Sequence, residues 1–307
     1  MRALIVHNRK SGFGSDAIFE FQRSLVRPGD ECVLRLLFDK NYDALALADA
    51  EQFDVVVVSG GDGTVTNALH TLAGRGVPTC IFPSGTANLF AANLGNATEP
   101  AAMARACRQG KTVDLDLGNI WWTHPGDIVS GRGFGLMGGS GFDANIMSAA
   151  LPKKKVMGEA SYFTAALSNR RPEVIHFTID VDGEVIERDG IACLVANNAM
   201  MQGEMQIVPG CRMDDGLLDV IVLETEDAVK LLRPLFFGLI DREGHKLGRP
   251  YIETFRGTHV SVTPDRPVQM EVDGDVIKGD ITNWYAEIVP KAARLIVDDF
   301  SRYAVSA

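Results

Sequence analysis

The sequence predicts two domains: an α/β domain with an open parallel sheet over residues 1–115, and a mainly antiparallel β-sandwich domain over residues 116–291. Residues 292–307 form a C-terminal segment that could return to the first domain. Three observations predict this. Val55-Val-Val-Val58 is a β-branched run closed by Ser59 and glycines, the pattern of a strand buried on both faces of a parallel sheet. Strand-like and helix-like stretches alternate through the first part. From Val113 onward the alternating runs lengthen, and Asp182-Gly183 and Asp273-Gly274 stand between strand-like stretches, the signal of tight antiparallel hairpins.

Taken in order, apolar β-rich runs place strands at 3–7, 32–37, 55–58 and 79–82. Helical periodicity places helices at 16–26, 42–50, 65–72, 87–93 and 99–109. In the second part the clearest strands are 174–182, 191–196, 218–223, 259–263, 268–272 and 285–289, with helices at 156–168 and 228–239. Ligands of open parallel sheets bind beyond the carboxyl ends of the strands, so residues 8–14, 60–64 and 83–86 are expected to share one crevice.

Composition narrows the classes. With 46% apolar and 23% charged residues the chain reads as globular rather than disordered. A net charge of −10 argues against a nucleic-acid partner, whose phosphates are neutralised by clustered Lys and Arg. Five scattered cysteines without a Cys-x-x-Cys suggest neither a disulfide framework nor a zinc site, and point to a reducing cytoplasm. The N-terminus opens into a strand with no signal-peptide pattern, and no apolar run approaches the ~20 residues that span a bilayer.

Chemistry concentrates in the loops. Gly60, Gly61 and Gly63 allow a sharp turn and close approach of a ligand to backbone N–H groups, and Thr64 stands where a helix begins. That geometry suits phosphate, yet the centre of the loop is Asp62 rather than a lysine, which makes sense with a divalent cation between carboxylate and phosphates. The first loop contains Gly12-Phe-Gly14-Ser-Asp-Ala17, a match to the dinucleotide pattern but set too far beyond the strand; a plain Gly/Ser loop is the other reading, with Asn8 and Ser11 as the phosphate-facing candidates. In the third loop, Pro83-Ser-Gly-Thr-Ala-Asn88, Thr86 is either a helix N-cap or a phosphate donor.

Together, Gly60-Gly-Asp-Gly-Thr64 and Pro83-Ser-Gly-Thr-Ala-Asn88 resemble the diacylglycerol-kinase-type lipid kinases, the superfamily that includes sphingosine kinases. The Gly-Gly-Asp-Gly-Thr loop is shared with NAD kinases and related to one in phosphofructokinases; the Ser-Gly-Thr-Ala-Asn loop sets the lipid kinases apart. The likeness continues through Gly141-Phe-Asp-Ala144, Asn197-Asn198, Ile207-Val-Pro209, Asp214-Asp-Gly-Leu-Leu-Asp219 and Val272-Asp-Gly-Asp275. It implies an NAD-kinase-like first domain, ATP and Mg2+ as cofactors, and phosphorylation of a lipid hydroxyl in the cleft between two domains. Asn8, Ser11, Gly60, Gly61, Asp62, Gly63, Thr64, Thr66 and Thr86 would form the ATP site, with Asp62 helping to hold the nucleotide's magnesium. The nucleotide-contacting Thr that often follows the family's second strand has no counterpart in Leu36-Leu-Phe-Asp39.

The resemblance also implies a structural magnesium at the Asp214–Asp219 block, held by the Asp215 carboxylate and the carbonyls of Arg212 and Leu217; the other reading is a turn before a strand. It places the general base directly after the late Asp-Gly turn, where the family typically has Glu and this chain has Asp275. Glu184 matches Asp-Gly-Glu literally but precedes the Asp214 block. The acceptor would be diacylglycerol or a related membrane lipid, met by transient peripheral contact at the inner face of the membrane. Residues 231–240, with Phe236 and Phe237, are an acyl-wall candidate or a core helix, and Lys153-Lys-Lys155 a headgroup contact or a solvated face. A homodimer is left open. NAD kinase, or a regulatory protein of the same fold that binds nucleotide or lipid with little catalysis, are the alternatives.

Overall fold

The computed structural model describes residues 1–11, 16–37, 44–141, 171–201, 205–231, 233–234, 237, 240–241, 244 and 246–304. The chain divides into two units, residues 1–117 with 290–307, and residues 118–289.

Unit 1 runs β1 (Arg2–Asn8), α1 (Ala17–Leu25), β2 (Glu31–Leu37), β3 (Val55–Gly60), α2 (Asp62–Leu72), β4 (Thr79–Pro83), α3 (Leu89–Leu94) and α4 (Pro100–Gln109), then enters β5 (Thr112–His124). The strands lie in the order β2-β1-β3-β4, all parallel. Val55 to Val58 are at most 1% exposed, which explains a run of four valines with no polar alternation. On one face Ala3, Ile5, Val55 and Val57 pack against Ile18, Phe21 and Leu25 of α1 and Met103, Ala104 and Cys107 of α4.

The expected helix at 42–50 is replaced, within the described residues, by two short 3₁₀ turns, Ala44–Leu47 and Ala50–Gln52. The carbonyls a helix would use are taken from outside: Arg35 donates to Ala46 O, and Arg75 donates to Leu47 O and Ala48 O. Of the expected helix at 228–239, Ala228–Leu231 form a 3₁₀ turn, and among the described residues beyond it Arg233, Pro234, Phe237 and Ile240 are helical.

Unit 2 contains β6 (Ile128–Phe134), β7 (Met137–Gly141), β8 (Ile175–Val181), β9 (Glu184–Gly190), β10 (Ala192–Ala196), the short pair β11 (Met200–Met201) and β12 (Met205–Gln206), β13 (Leu218–Leu223), β14 (Ile252–Gly257), β15 (His259–Pro264), β16 (Val268–Val272), β17 (Asp275–Ile281) and the first part of β18 (Asn283–Ile296). One sheet holds β18-β15-β8-β9 with β5 and β6; the other is β14-β13-β10-β7-β16-β17, antiparallel at every pair. Phe177, Ile179, Val262 and Trp284 from the first sheet meet Val195, Val220, Met270 and Val272 from the second in one buried core, which makes the unit a β-sandwich. The last part of β18 pairs parallel to β4 through Leu295 and Thr79, so the C-terminal segment belongs to unit 1.

Candidate active site

In unit 1 the ends of three adjacent parallel strands carry three loops that touch. Asn8, the last residue of β1, donates from Nδ2 to Thr64 Oγ1 at 2.8 Å. Its other side-chain atom, Oδ1, accepts the Lys10 N–H at 3.0 Å, and the Ser11 N–H donates to the Asn8 carbonyl at 3.0 Å. The β3–α2 and β4–α3 loops meet backbone to backbone. Ser84 N–H donates to Gly60 O at 3.0 Å, and a Cβ on Gly85 would stand 2.4 Å from Gly61 Cα, so neither loop has room for a side chain there.

Helix α2 begins at Asp62, three residues before the sequence-based start, with extended Gly61 as its N-cap. Asp62 and Gly63 therefore lie in the first helical turn, where amide N–H groups are unpaired and a carboxylate is electrostatically favoured. Asp62 is half-buried, and its Oδ1 accepts the Phe90 N–H at 2.9 Å, tying the second loop to the first turn of α3. Thr86 is not the cap of α3. That position belongs to Asn88, in left-handed geometry (φ 50°), whose side chain exchanges two hydrogen bonds with Gly85 at 2.7 and 3.0 Å. Thr86 is exposed in the bend, whereas Thr66 is 5% exposed on the buried side of α2.

Beneath the loops runs a polar chain that the sequence reading did not single out. His7 Nδ1 is 2.9 Å from Ser59 Oγ, and Ser59 Oγ is 3.3 Å from Ser84 Oγ, joining β1, β3 and β4 across their paired ends. Ser59 is fully buried. Burial, aided by the nearby Arg9 charge, lowers the His7 pKa, so the ring is neutral at pH 7. A polar residue at or next to the carboxyl end of each of three adjacent strands is the signal that could have revealed it.

Unit 2 holds the acidic candidates. In the turn before β13, Asp214 takes both Arg212 guanidinium bonds at 2.7 Å. Asp215 accepts the Leu217 N–H at Oδ1 (3.1 Å) and the Arg256 guanidinium at Oδ2. Arg256 Nε also reaches Asp219 Oδ1 at 3.1 Å, and Asp219, 2% exposed, has its pKa raised by burial. Asp275 opens β17, exposed, with Arg132 Nη1 3.1 Å from its Oδ2; the same guanidinium donates to Val272 O at 2.6 Å. Glu184 opens β9 in the other sheet, also exposed. Arg233 stacks over the Phe237 ring at 5.3 Å. Gly12 to Gly14, Asp39, residues 142–144, Lys153 to Lys155, the helix at 156–168 and Phe236 lie outside the described residues.

Comparison with known proteins bears on both units. Residues 2–120 match the diacylglycerol kinase catalytic domain, and residues 137–297 match the YegS C-terminal NAD kinase beta sandwich-like domain. A diacylglycerol kinase of Mycobacterium tuberculosis is 33% identical over 244 residues, covering 77% of this chain and 72% of the relative. The chain belongs to the diacylglycerol-kinase-type lipid kinases. A probable YegS-like lipid kinase of Pseudomonas aeruginosa is 31% identical, covering 76% of each chain, and the diacylglycerol kinase of Bacillus subtilis is 26% identical, covering 82% of this chain and 83% of its own. The crystal structure of a putative diacylglycerol kinase from Bacillus anthracis superposes with a TM-score of 0.75 over 97% of this chain at 20% identity, a likeness of fold. Among the described residues no helix is long and apolar enough to cross a membrane. Membership makes the chain a kinase of lipid-kinase type, with ATP as the phosphoryl source the family implies.

Proposed function

We propose that this lipid kinase transfers the γ-phosphoryl group of magnesium-bound ATP to the hydroxyl of diacylglycerol or a closely related membrane lipid. The observation that carries the nucleotide half is the three-loop junction: Asn8 on Thr64, Asp62 on Phe90, and Gly61 against Gly85. Such a junction presents the α2 first-turn amides and small side chains toward one place, and phosphoryl transfer asks for alignment and charge neutralisation more than covalent help. Asn8, Ser11, Gly60, Gly61, Gly63, Thr64, Thr66 and Thr86 are the nucleotide residues in this reading; the exposed Thr86 is free of a capping duty, while buried Thr66 acts by supporting α2. A divalent ion arriving with the nucleotide would spread the phosphate charge. Asp62, oriented through Oδ1 by the Phe90 amide, has Oδ2 left to meet that ion through water.

On the acceptor side the lipid oxygen forms the new P–O bond, the bond to ADP breaks, and the hydroxyl proton passes to Asp275. Arg132 would hold that carboxylate in one orientation, which suits a side chain one methylene shorter than Glu. The deciding experiment is transfer from labelled ATP across diacylglycerol, sphingoid base, ceramide, polyprenol and NAD. Labelled product from diacylglycerol is expected; product from NAD alone, or ATP binding without any product, overturns the reading. Asp62→Asn keeps an acceptor for Phe90, so it is expected to fold normally while losing turnover by about 10²-fold or more.

A further inference from the structure

The turn before β13 is where family likeness and this chain's own charges diverge. Of the expected ion ligands Arg212, Asp215 and Leu217, only Asp215 offers side-chain oxygens, and both are engaged. Oδ1 accepts the Leu217 N–H at 3.1 Å and Oδ2 accepts the Arg256 guanidinium. A magnesium ion demands near-octahedral oxygen ligands and would have to displace a full positive charge from this carboxylate. The set as it stands does not fit the ion.

Arg256 is placed for its task by the sheet. It lies directly opposite Asp219 in the β13–β14 pairing, and its Nε reaches Asp219 Oδ1 at 3.1 Å while the far end of the same fork reaches Asp215. Asp219 is 2% exposed, so its carboxylate depends on a protein cation rather than on water. Asp214 is separately neutralised by Arg212, with two bonds of 2.7 Å. A planar guanidinium with fixed donors can bridge two carboxylates in one geometry, which a lysine cannot.

We infer that Arg256 is the resident counter-ion of this turn, bridging Asp215 and Asp219 in the place that the family resemblance gives to a structural magnesium. Unit 2 then folds and keeps its turn without a bound divalent ion.

The test uses the full chain free of nucleotide and lipid, so its result is separate from that of the proposed reaction. Thermal unfolding of the wild type is expected at the same temperature in EDTA and in millimolar Mg2+. In EDTA, Arg256→Gln is expected to unfold about 4–8 °C lower, with Arg256→Lys in between. A wild type that loses several degrees on chelation and regains them with Mg2+ overturns the inference, as does an Arg256→Gln chain as stable in EDTA as the wild type. Should Arg256→Gln fail to fold, equilibrium dialysis of the wild type against Mn2+ decides. No stoichiometric binding without nucleotide is expected, and one tightly bound Mn2+ per chain overturns the inference.

Discussion

The two Asp-Gly hairpins of unit 2 have one backbone and two different environments. Asp182-Gly183 has φ values of 52° and 91°, Asp273-Gly274 of 48° and 81°, both the left-handed pair of a type I′ turn. Val181 pairs with Glu184 across one, Val272 with Asp275 across the other. Each aspartate accepts at least three hydrogen bonds. Asp182 takes the Thr258 N–H, the Thr258 hydroxyl and the His259 N–H, at the exposed start of β15. Asp273 takes the consecutive amides of Gly135, Leu136 and Met137, which lead into β7, an interior strand of its sheet. The residue that follows differs in its neighbour: Glu184 and Asp275 are both exposed on the last strand of their sheets, and Asp275 has the Arg132 guanidinium 3.1 Å from its Oδ2. A turn motif therefore specifies a bend, and its neighbours decide whether the next carboxylate is a surface charge or an oriented group.

The largest effect is expected at those following carboxylates. Asp275→Asn is expected to lower lipid phosphorylation by about 10²–10⁴-fold, and Glu184→Gln to leave it within about twofold. The reverse pattern in a labelled-ATP assay would move the base to the other hairpin.

Next come the turn aspartates. Both substitutions to Ala share the same left-handed strain, so their difference isolates what the carboxylates hold. Asp273→Ala leaves three half-buried amides without their acceptor and is expected to cost about 3 kcal/mol, against about 1 kcal/mol for Asp182→Ala, whose donors can turn to water. Urea unfolding midpoints measure both; equal losses would show that the environments do not matter.

A third test uses acid. Hydrogen bonds from Thr258 and His259 hold the Asp182 carboxyl below the usual carboxylate range. Its folded pKa is thus lower than its unfolded one, so its stabilising contribution is complete above about pH 4 and is lost as pH falls through the depressed folded value. Wild type and Asp182→Asn should differ in melting temperature at pH 6, with the gap narrowing steadily as the pH falls below about 4; a gap that does not change on acidification would assign the effect to packing rather than charge. Smallest are Gly183→Ala and Gly274→Ala, each expected to cost about 1 kcal/mol through positive φ. A marked inequality between them would show that the two turns are not the same object.

Much of the fold was legible because it rests on local patterns. The four-valine strand, the Asp-Gly turns and the strands at 218–223 and 268–272 follow from β-rich apolar runs that are buried on both faces and from left-handed turn chemistry. Strands β6, β7, β9, β14 and β17 lie outside the strands that the sequence pattern predicts. Met137-Gly-Gly-Ser-Gly141 has almost no side chains to alternate, yet its last four residues are buried because β10 and β16 pair on either side. The helix starts were misplaced for a similar reason. Asn88, and not Thr86, caps α3 because its side chain folds back onto Gly85.

By itself the sequence determined the succession of α/β and β domains, the three glycine-bearing loops and the family they resemble, since these depend on residues close together in the chain. Tertiary structure decided what long-range partners do with those residues. It made Asp62 a tie to Phe90 across 28 positions, linked His7 to Ser59 across 52, gave Asp215 a guanidinium 41 residues away, and returned residues 290–307 to the first unit. Charges and hydrogen-bond donors distant in sequence are brought within hydrogen-bonding reach by strand pairing and loop packing, which no single local stretch of sequence contains.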